Sequence, residues 1–327
     1  MLAAYVEECG PPEAIRFGEV HDPRPGSTDV LVDVEFSAVN AVDTMVRSGA
    51  FRTPMDLPFV IGRDLVGTVA AAPPGVPGFR PGERVWCNSL GHGGRQGAAA
   101  RQAAVPADRL YRLPEAVDPL DAAAVLHPAA TAYLALFTHG RLRVGETVVV
   151  AGGGGNVGGA LITLAAHAGA RVVATAGERD AERCRALGAD EVVDHRSAEV
   201  AEELREACPQ GAGLYVDTSG RVDLDLAVGL LAWRGRVVLL AGMGARPVLP
   251  AGPLYAMDRS VIGFAISHAT TAELAEAAAT VNRLLASGAL RPPATQTLPL
   301  SAAAEAHRRV EAGGVRGKLV LRVRPAG

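Results

Sequence analysis

Cysteine is scarce and scattered. Cys9, Cys87, Cys184 and Cys208 stand far apart, with no C-x-x-C pair among them. That spacing argues against a disulfide framework and against a cysteine-built zinc site. Net charge is small as well, −3 at pH 7, so there is no electrostatic case for a nucleic-acid or membrane-surface partner. No run of about 18 or more uncharged apolar residues reads as a membrane span. The opening MLAAYVEECGPPEAIRFGEV is acidic and carries prolines, unlike a secretory leader. These absences together lead to the expectation of a cytoplasmic protein.

What is present is a large apolar inventory. The chain has 327 residues, 49% hydrophobic and 20% charged, enough for about two domains of roughly 150 residues each. Residues 1–117 read as short strands between turns: Val30–Val39 alternates as a strand does. Pro-Gly punctuation recurs at Pro25-Gly26, Pro73-Pro74-Gly75, Pro77-Gly78 and Pro81-Gly82. After Pro114 the style changes. A helical stretch, DPLDAAAVLHPAATAYLALFTHG, leads into apolar runs alternating with helices. The helices include one through RDAERCRALG and one through DLAVGLLAWRG, the latter followed by a strand RVVLLAG. Such alternation, with near-continuous apolar strands, means a parallel sheet covered on both faces. The tail returns to mixed structure and closes on a strand, GKLVLRV. The fold class is therefore α/β: a doubly wound parallel sheet over 118–255, and a β-rich domain from 1–117 and 256–327.

The densest signal is VVVAGGGGNVGGAL, Val148–Leu161. Glycine loses the most backbone entropy on folding, so a cluster of it needs a reason. Gly153, Gly155 and Gly158 fit G-x-G-x-x-G between a strand and a helix, the context that makes this motif a dinucleotide signal. A side chain there would collide with a diphosphate, and the helix start offers unpaired N–H groups to an anion. Gly153, Gly154, Gly155, Asn156, Val157 and Gly158 are the expected cradle. A tight turn with no ligand is the plainer alternative. An NAD site usually places an acidic residue at the tip of the next strand. Here that tip is Ala176-Gly177, followed by Glu178. The small tip favours NADPH over NADH, with Arg179, Arg183 or Arg196 pairing a 2′-phosphate. These arginines equally read as a solvated helix face, and Glu178 as a ribose acceptor.

The chain resembles the medium-chain dehydrogenase/reductase superfamily, and most of all its zinc-free quinone oxidoreductases, the zeta-crystallin-like branch. The matching segments run nearly end to end. They include SAVNAVDTMVRSGAF (37–51), FVIGRDLVGTV (59–69), AATAYLAL (129–136), VVVAGGGGNVG (148–158), ALGADEVVDHR (186–196) and LPLSAAAEAHRRVEAGGVRGKLVLRV (298–323). The resemblance implies a Rossmann domain in the middle, a GroES-like catalytic domain built from both chain ends, and a homodimer. Zinc is not expected. The Gly-His-Glu position of the zinc-dependent branch reads Gly62-Arg63-Asp64, and the early Cys position falls near Asn40. Without a Lewis acid, reduction of an already electron-poor acceptor is the feasible chemistry.

On that resemblance Asn40 and Asp43 lie in the family's Asn-x-x-Asp stretch. Asn40 is the candidate to hydrogen-bond a substrate carbonyl, or else a loop Asn serving its own backbone. Asp43, Met45 and Phe51 are pocket candidates, Met45 and Phe51 standing where relatives carry tyrosines; Asp43 reads otherwise as a structural residue, and Met45 and Phe51 as packing. His127 is a candidate general acid or a helix-start histidine satisfied by backbone. Thr131, Thr218, Ser219, Gly242, Met243, Phe264 and Lys318 match positions along the cofactor, Lys318 reaching its phosphates. Three readings follow: a zinc-independent NADPH:quinone reductase, an enoyl reductase acting on an α,β-unsaturated carbonyl, and a cofactor-binding protein with little catalysis. The partners expected are a small-molecule substrate and a second copy of the chain, with no nucleic acid and no membrane.

Overall fold

Strand Asp29–Ala38 shows how alternation builds the first half of the molecule. Val30, Val32 and Val34 point inward and are fully buried, while the residues between them stay half-exposed. In the computed structural model, which describes residues 1–73 and 78–324, this strand is the hub of a seven-stranded sheet. Its neighbours are Leu65–Ala71, Gln102–Pro106 and, from the far end of the chain, Lys318–Arg322. Pro74, Gly75 and Pro77 of the expected turns lie outside the described residues. Helix α1, Ala41–Ser48, follows the hub strand directly.

The chain divides into two compact units, Met1–His127 with Leu274–Gly327, and Pro128–Glu273. The junctions read from sequence at 117 and 255 fall inside the first and second unit respectively. The first unit reaches into helix α2, Pro119–Tyr133, which carries both His127 and Thr131. Together with the π-turn Leu134–His139, this helix is long and apolar enough to cross a membrane, against the sequence reading. However, 78% of its apolar window is buried in the protein, which marks a core helix.

The second unit is a six-stranded sheet, parallel throughout. Its strands run in the spatial order Glu191–Asp194, Arg171–Ala176, Thr147–Ala151, Ala212–Asp217, Leu231–Leu239 and Ser260–Gly263. Numbered along the chain this is 3-2-1-4-5-6, the Rossmann order, whose switch point lies between Thr147–Ala151 and Ala212–Asp217. Helices α3, Asn156–His167, and α4, Glu178–Ala186, follow the first two strands. One boundary differs from the sequence reading. The helix expected through DLAVGLLAWRG stops at Gly229, and Leu231–Trp233 already belongs to the next strand, where Leu231 pairs with Ala212. Helical spacing of the leucines hid the change, and sheet pairing decided it.

Candidate active site

Register brings the first group of polar residues together. Val320 pairs with Ala38, and the Val39 N–H donates to the Leu319 carbonyl. One more antiparallel step sets Lys318 opposite Asn40. Strand Leu65–Ala71 lies on the hub's other side, pairing Val66 with Phe36, which brings Asp64 alongside. The Gly62 turn leading into it has φ +91, and a Cβ there would stand 3.1 Å from Ser37 Oγ. α2 adds His127. Asn40, Asp43, Asp64, His127 and Lys318 are all buried.

Their hydrogen bonds form one connected set. The Lys318 ammonium donates to Asn40 Oδ1. An ammonium has no acceptor capacity, so this contact fixes which end of the Asn40 amide is oxygen. The amide nitrogen then donates to Asp64 Oδ2 at 2.8 Å and to Asp43 Oδ2 at 3.2 Å. The Asn40 backbone N–H also donates to Asp43 Oδ2, at 2.7 Å, closing the first turn of α1. On its other oxygen Asp64 meets His127 Nδ1 at 3.0 Å.

The two carboxylates titrate apart. Burial, then the charge of Asp64, raises the Asp43 pKa to about 6. Burial opposes ionisation of Asp64 too, but His127, Lys318 and Asn40 outweigh it and hold its pKa below the ordinary value. Burial lowers the Lys318 pKa, against the pull of Asp64 and Asp43. Two sequence expectations change here. Asn40 is not set to donate to a substrate carbonyl, because both amide hydrogens go to carboxylates. Lys318 does not extend toward phosphates: it is 3% exposed and bound to Asn40. It is also the only lysine in the chain. Met45 is half-buried on α1 and accepts the Phe51 N–H on its carbonyl. Phe51 packs against the core, 5.9 Å from the His92 ring.

The second group surrounds the glycine turn. Gly152 has φ +88, and Gly155 caps α3. A Cβ at Gly158 would come within 2.1 Å of the Gly152 carbonyl, and one at Gly153 within 3.1 Å of Ala174 and Ile162. These glycines are thus demanded by strand–helix packing, where the sequence reading had a ligand excluding side chains. Gly155 is different: it is exposed, and a Cβ there would meet only Gly152 O, at 3.3 Å. Beside it, half-exposed Asn156 and Val157 open the twelve-residue α3, a helix start suited to a diphosphate. Thr218 bolts the turn across the switch point, its hydroxyl donating to Ala151 O at 2.8 Å. Ser219 donates instead to its neighbour Asp217.

At the tip of Arg171–Ala176 the expected small residues are present, with Gly177 capping α4. A Cβ on Gly177 would lie 2.8 Å from Arg196 Nη2, so that guanidinium covers the tip. Arg183 is committed to the turn, donating to Gly154 O at 3.1 Å. Arg179 is exposed on α4. Gly242 has φ +83 against Gly220, Met243 is exposed, and Phe264 stacks on His139 at 4.4 Å. Thr131 is buried on α2. Sequence reasoning missed Asp64 as the partner of His127. It also missed Asp180, whose carboxylate lies 2.9 Å from where a Gly154 Cβ would be.

Two family profiles match this chain: "Alcohol dehydrogenase GroES-like domain" over residues 26–115 and "Zinc-binding dehydrogenase" over 156–283. Quinone oxidoreductase of Rattus norvegicus is 32% identical over 98% of this chain and 97% of its own length. The chain belongs to the quinone oxidoreductases of the medium-chain dehydrogenase/reductase superfamily. It is an oxidoreductase. A solved structure of mycobacterial Rv1454c complexed with NADPH is 31% identical, covering 99% of this chain and 100% of the other, with a TM-score of 0.86. A mycocerosic acid synthase-like polyketide synthase of Mycobacterium tuberculosis is 31% identical over the whole chain, which spans 16% of that protein. The zinc named in one profile does not fit the residues present. Among the described residues no group of three or more His, Cys, Asp or Glu is arranged to hold a metal, and the buried cluster is closed by an ammonium and an amide.

Proposed function

We propose that this protein is an NADPH-dependent, zinc-independent reductase that passes hydride to a quinone-type acceptor. The observation that carries the choice of cofactor is the strand tip at Ala176-Gly177, where the Arg196 guanidinium, paired with Asp194 at 3.4 Å, lies against small residues. A guanidinium pairs a 2′-phosphate well, and the small residues leave room for one beside Arg196. Gly155, Asn156 and Val157 at the start of α3 would hold the diphosphate. When bound, the reduced dinucleotide supplies the hydride. The chain's own part is to bind and orient the acceptor and to manage the proton. Closure of the buried cluster by Lys318 and Asn40 supports chemistry without a metal electrophile. Relatives named as quinone oxidoreductases support the acceptor class.

An enoyl reductase is the second reading. The polyketide synthase relative supports it, as does the His127–Asp64 pair, since an alkene needs a proton delivered to carbon. The test is nicotinamide absorbance with NADPH or NADH against panels of quinones and of enoyl thioesters. Faster NADPH loss with quinones is expected. Higher efficiency with enoyl thioesters would transfer the assignment, and equal use of NADH would refute the role given to Arg196. We also propose a cytoplasmic homodimer. Strand Ser260–Gly263 ends its sheet, and Trp233, Tyr255 and Met257 are exposed close by in sequence and pairing.

A further inference from the structure

We propose that a surface cavity between the first and last strands of the chain binds an amphipathic carboxylate, a small molecule with an apolar body and one anionic head. The inference goes beyond the reductase reading and does not rest on it. The cavity has a volume of about 470 Å³, within the range of small-molecule sites. It lies wholly in the first unit. Main-chain bonds tie the two chain ends together around it. The Arg101 N–H donates to Leu2 O at 3.0 Å, the Val34 N–H to Arg101 O at 3.0 Å, and the Val323 N–H to Glu35 O at 2.9 Å. Strand Thr295–Pro299 pairs in parallel with Lys318–Arg322, setting Pro299 opposite Arg322. The frame is thus made of paired strands, which hold a site more firmly than loops do. Lys318 of the buried cluster stands at the other end of that last strand from Arg322, roughly 13 Å away, so the cavity is separate from the cluster.

Three arginines line the cavity and no acidic residue does. Their charges are spent differently. Arg324 is answered by Asp33 at 2.8 Å. Arg322 lies over the Phe36 ring, 4.9 Å from its centroid. An aromatic face attracts the cation but leaves the in-plane N–H donors of the fork for an anion. Arg101 is exposed. Among the described residues neither Arg101 nor Arg322 has an acidic partner. Beside these guanidinium groups stand Leu2, Phe17 and Leu298, and Phe17 is 45% exposed. A carboxylate matches a guanidinium fork with two parallel hydrogen bonds, and an apolar body removes Phe17 from water. An inorganic anion uses only the first half of this lining, and a neutral hydrocarbon only the second.

Decanoate is the probe, titrated into the full chain by calorimetry. Acetate and decanol are the controls, carrying the head or the body alone. Decanoate is expected to bind once per chain, about tenfold or more tighter than either control. Arg101→Gln and Arg322→Gln should each weaken it by about tenfold or more. Arg322→Gln also removes the contact with Phe36, so Arg101→Gln is the cleaner variant, and an unchanged thermal unfolding temperature checks its fold. Saturating NADPH should leave the decanoate Kd unaltered. Decanoate binding at wild-type strength in Arg101→Gln overturns the proposal. So does decanol that binds as tightly as decanoate, displacement of decanoate by NADPH, or a titration that shows no saturation up to about 10 mM.

Discussion

Lys318 and Asp43 show what single residues do in the buried cluster. Lys318 binds the Asn40 amide and offsets the charge of Asp64 and Asp43, and its removal leaves Asn40 Oδ1 buried without its donor and the two carboxylates with less positive charge around them. Lys318→Met is expected to lower the unfolding free energy by about 3–5 kcal/mol, measured by urea denaturation. Asp43 makes a separate prediction. Its pKa is about 6 in the folded protein, above the ordinary carboxylate value, so the folded state holds a proton that the unfolded chain has released. Its contribution is complete below about pH 4 and is lost as pH rises through about 6. Asp43→Asn should remove that decline, read as the difference between wild type and variant in unfolding free energy against pH. A difference is needed because His307, lowered to about 3 by burial and by Arg47, tilts the same range the other way. Sequence marked Asn40, His127 and Lys318 but misread two of their tasks. The bond that redefines Asn40 crosses 278 residues, and no local pattern carries a contact of that span.

At the scale of elements, the strand–turn–helix from Thr147 to His167 is the most demanding local structure. The strand, the turn and the helix start were all legible, because periodicity and glycine spacing are local signals. The cause of the glycines was not: the clash at Gly158 is with the turn's own carbonyl, a distance only the folded turn defines. Gly158→Ala is expected to cost about 1–3 kcal/mol in stability and to weaken binding of a reduced nicotinamide dinucleotide with it, followed by thermal unfolding and by fluorescence titration. Thr218→Val should cost about 1 kcal/mol, since it removes the hydroxyl that ties Ala151 O. The helix-to-strand change at Gly229 was illegible for the converse reason. Leu230 and Leu231 suit either period, and pairing with Ala212 breaks the tie.

For the whole molecule, the distribution of basic groups has a practical reading. Every basic side chain other than histidine outside the cluster is an arginine, so the folded surface carries no side-chain amine. An amine-reactive reagent should leave Lys318 unmodified in the folded protein and label it once in denaturant, with mass spectrometry reporting both. Early labelling under native conditions would show that the closing strand opens on its own. The same cluster also carries a consequence for biosynthesis. Asn40 and Asp64 leave the ribosome early, and the ammonium that binds the one and offsets the charge of the other is translated only at residue 318. The second unit, continuous from Pro128 to Glu273, has every strand of its sheet in hand long before that, and domains generally fold as units in the order of synthesis. The nascent chain therefore holds a finished dinucleotide fold while its first strands still wait for their last partner, and that interval is when this protein most needs protection from other chains.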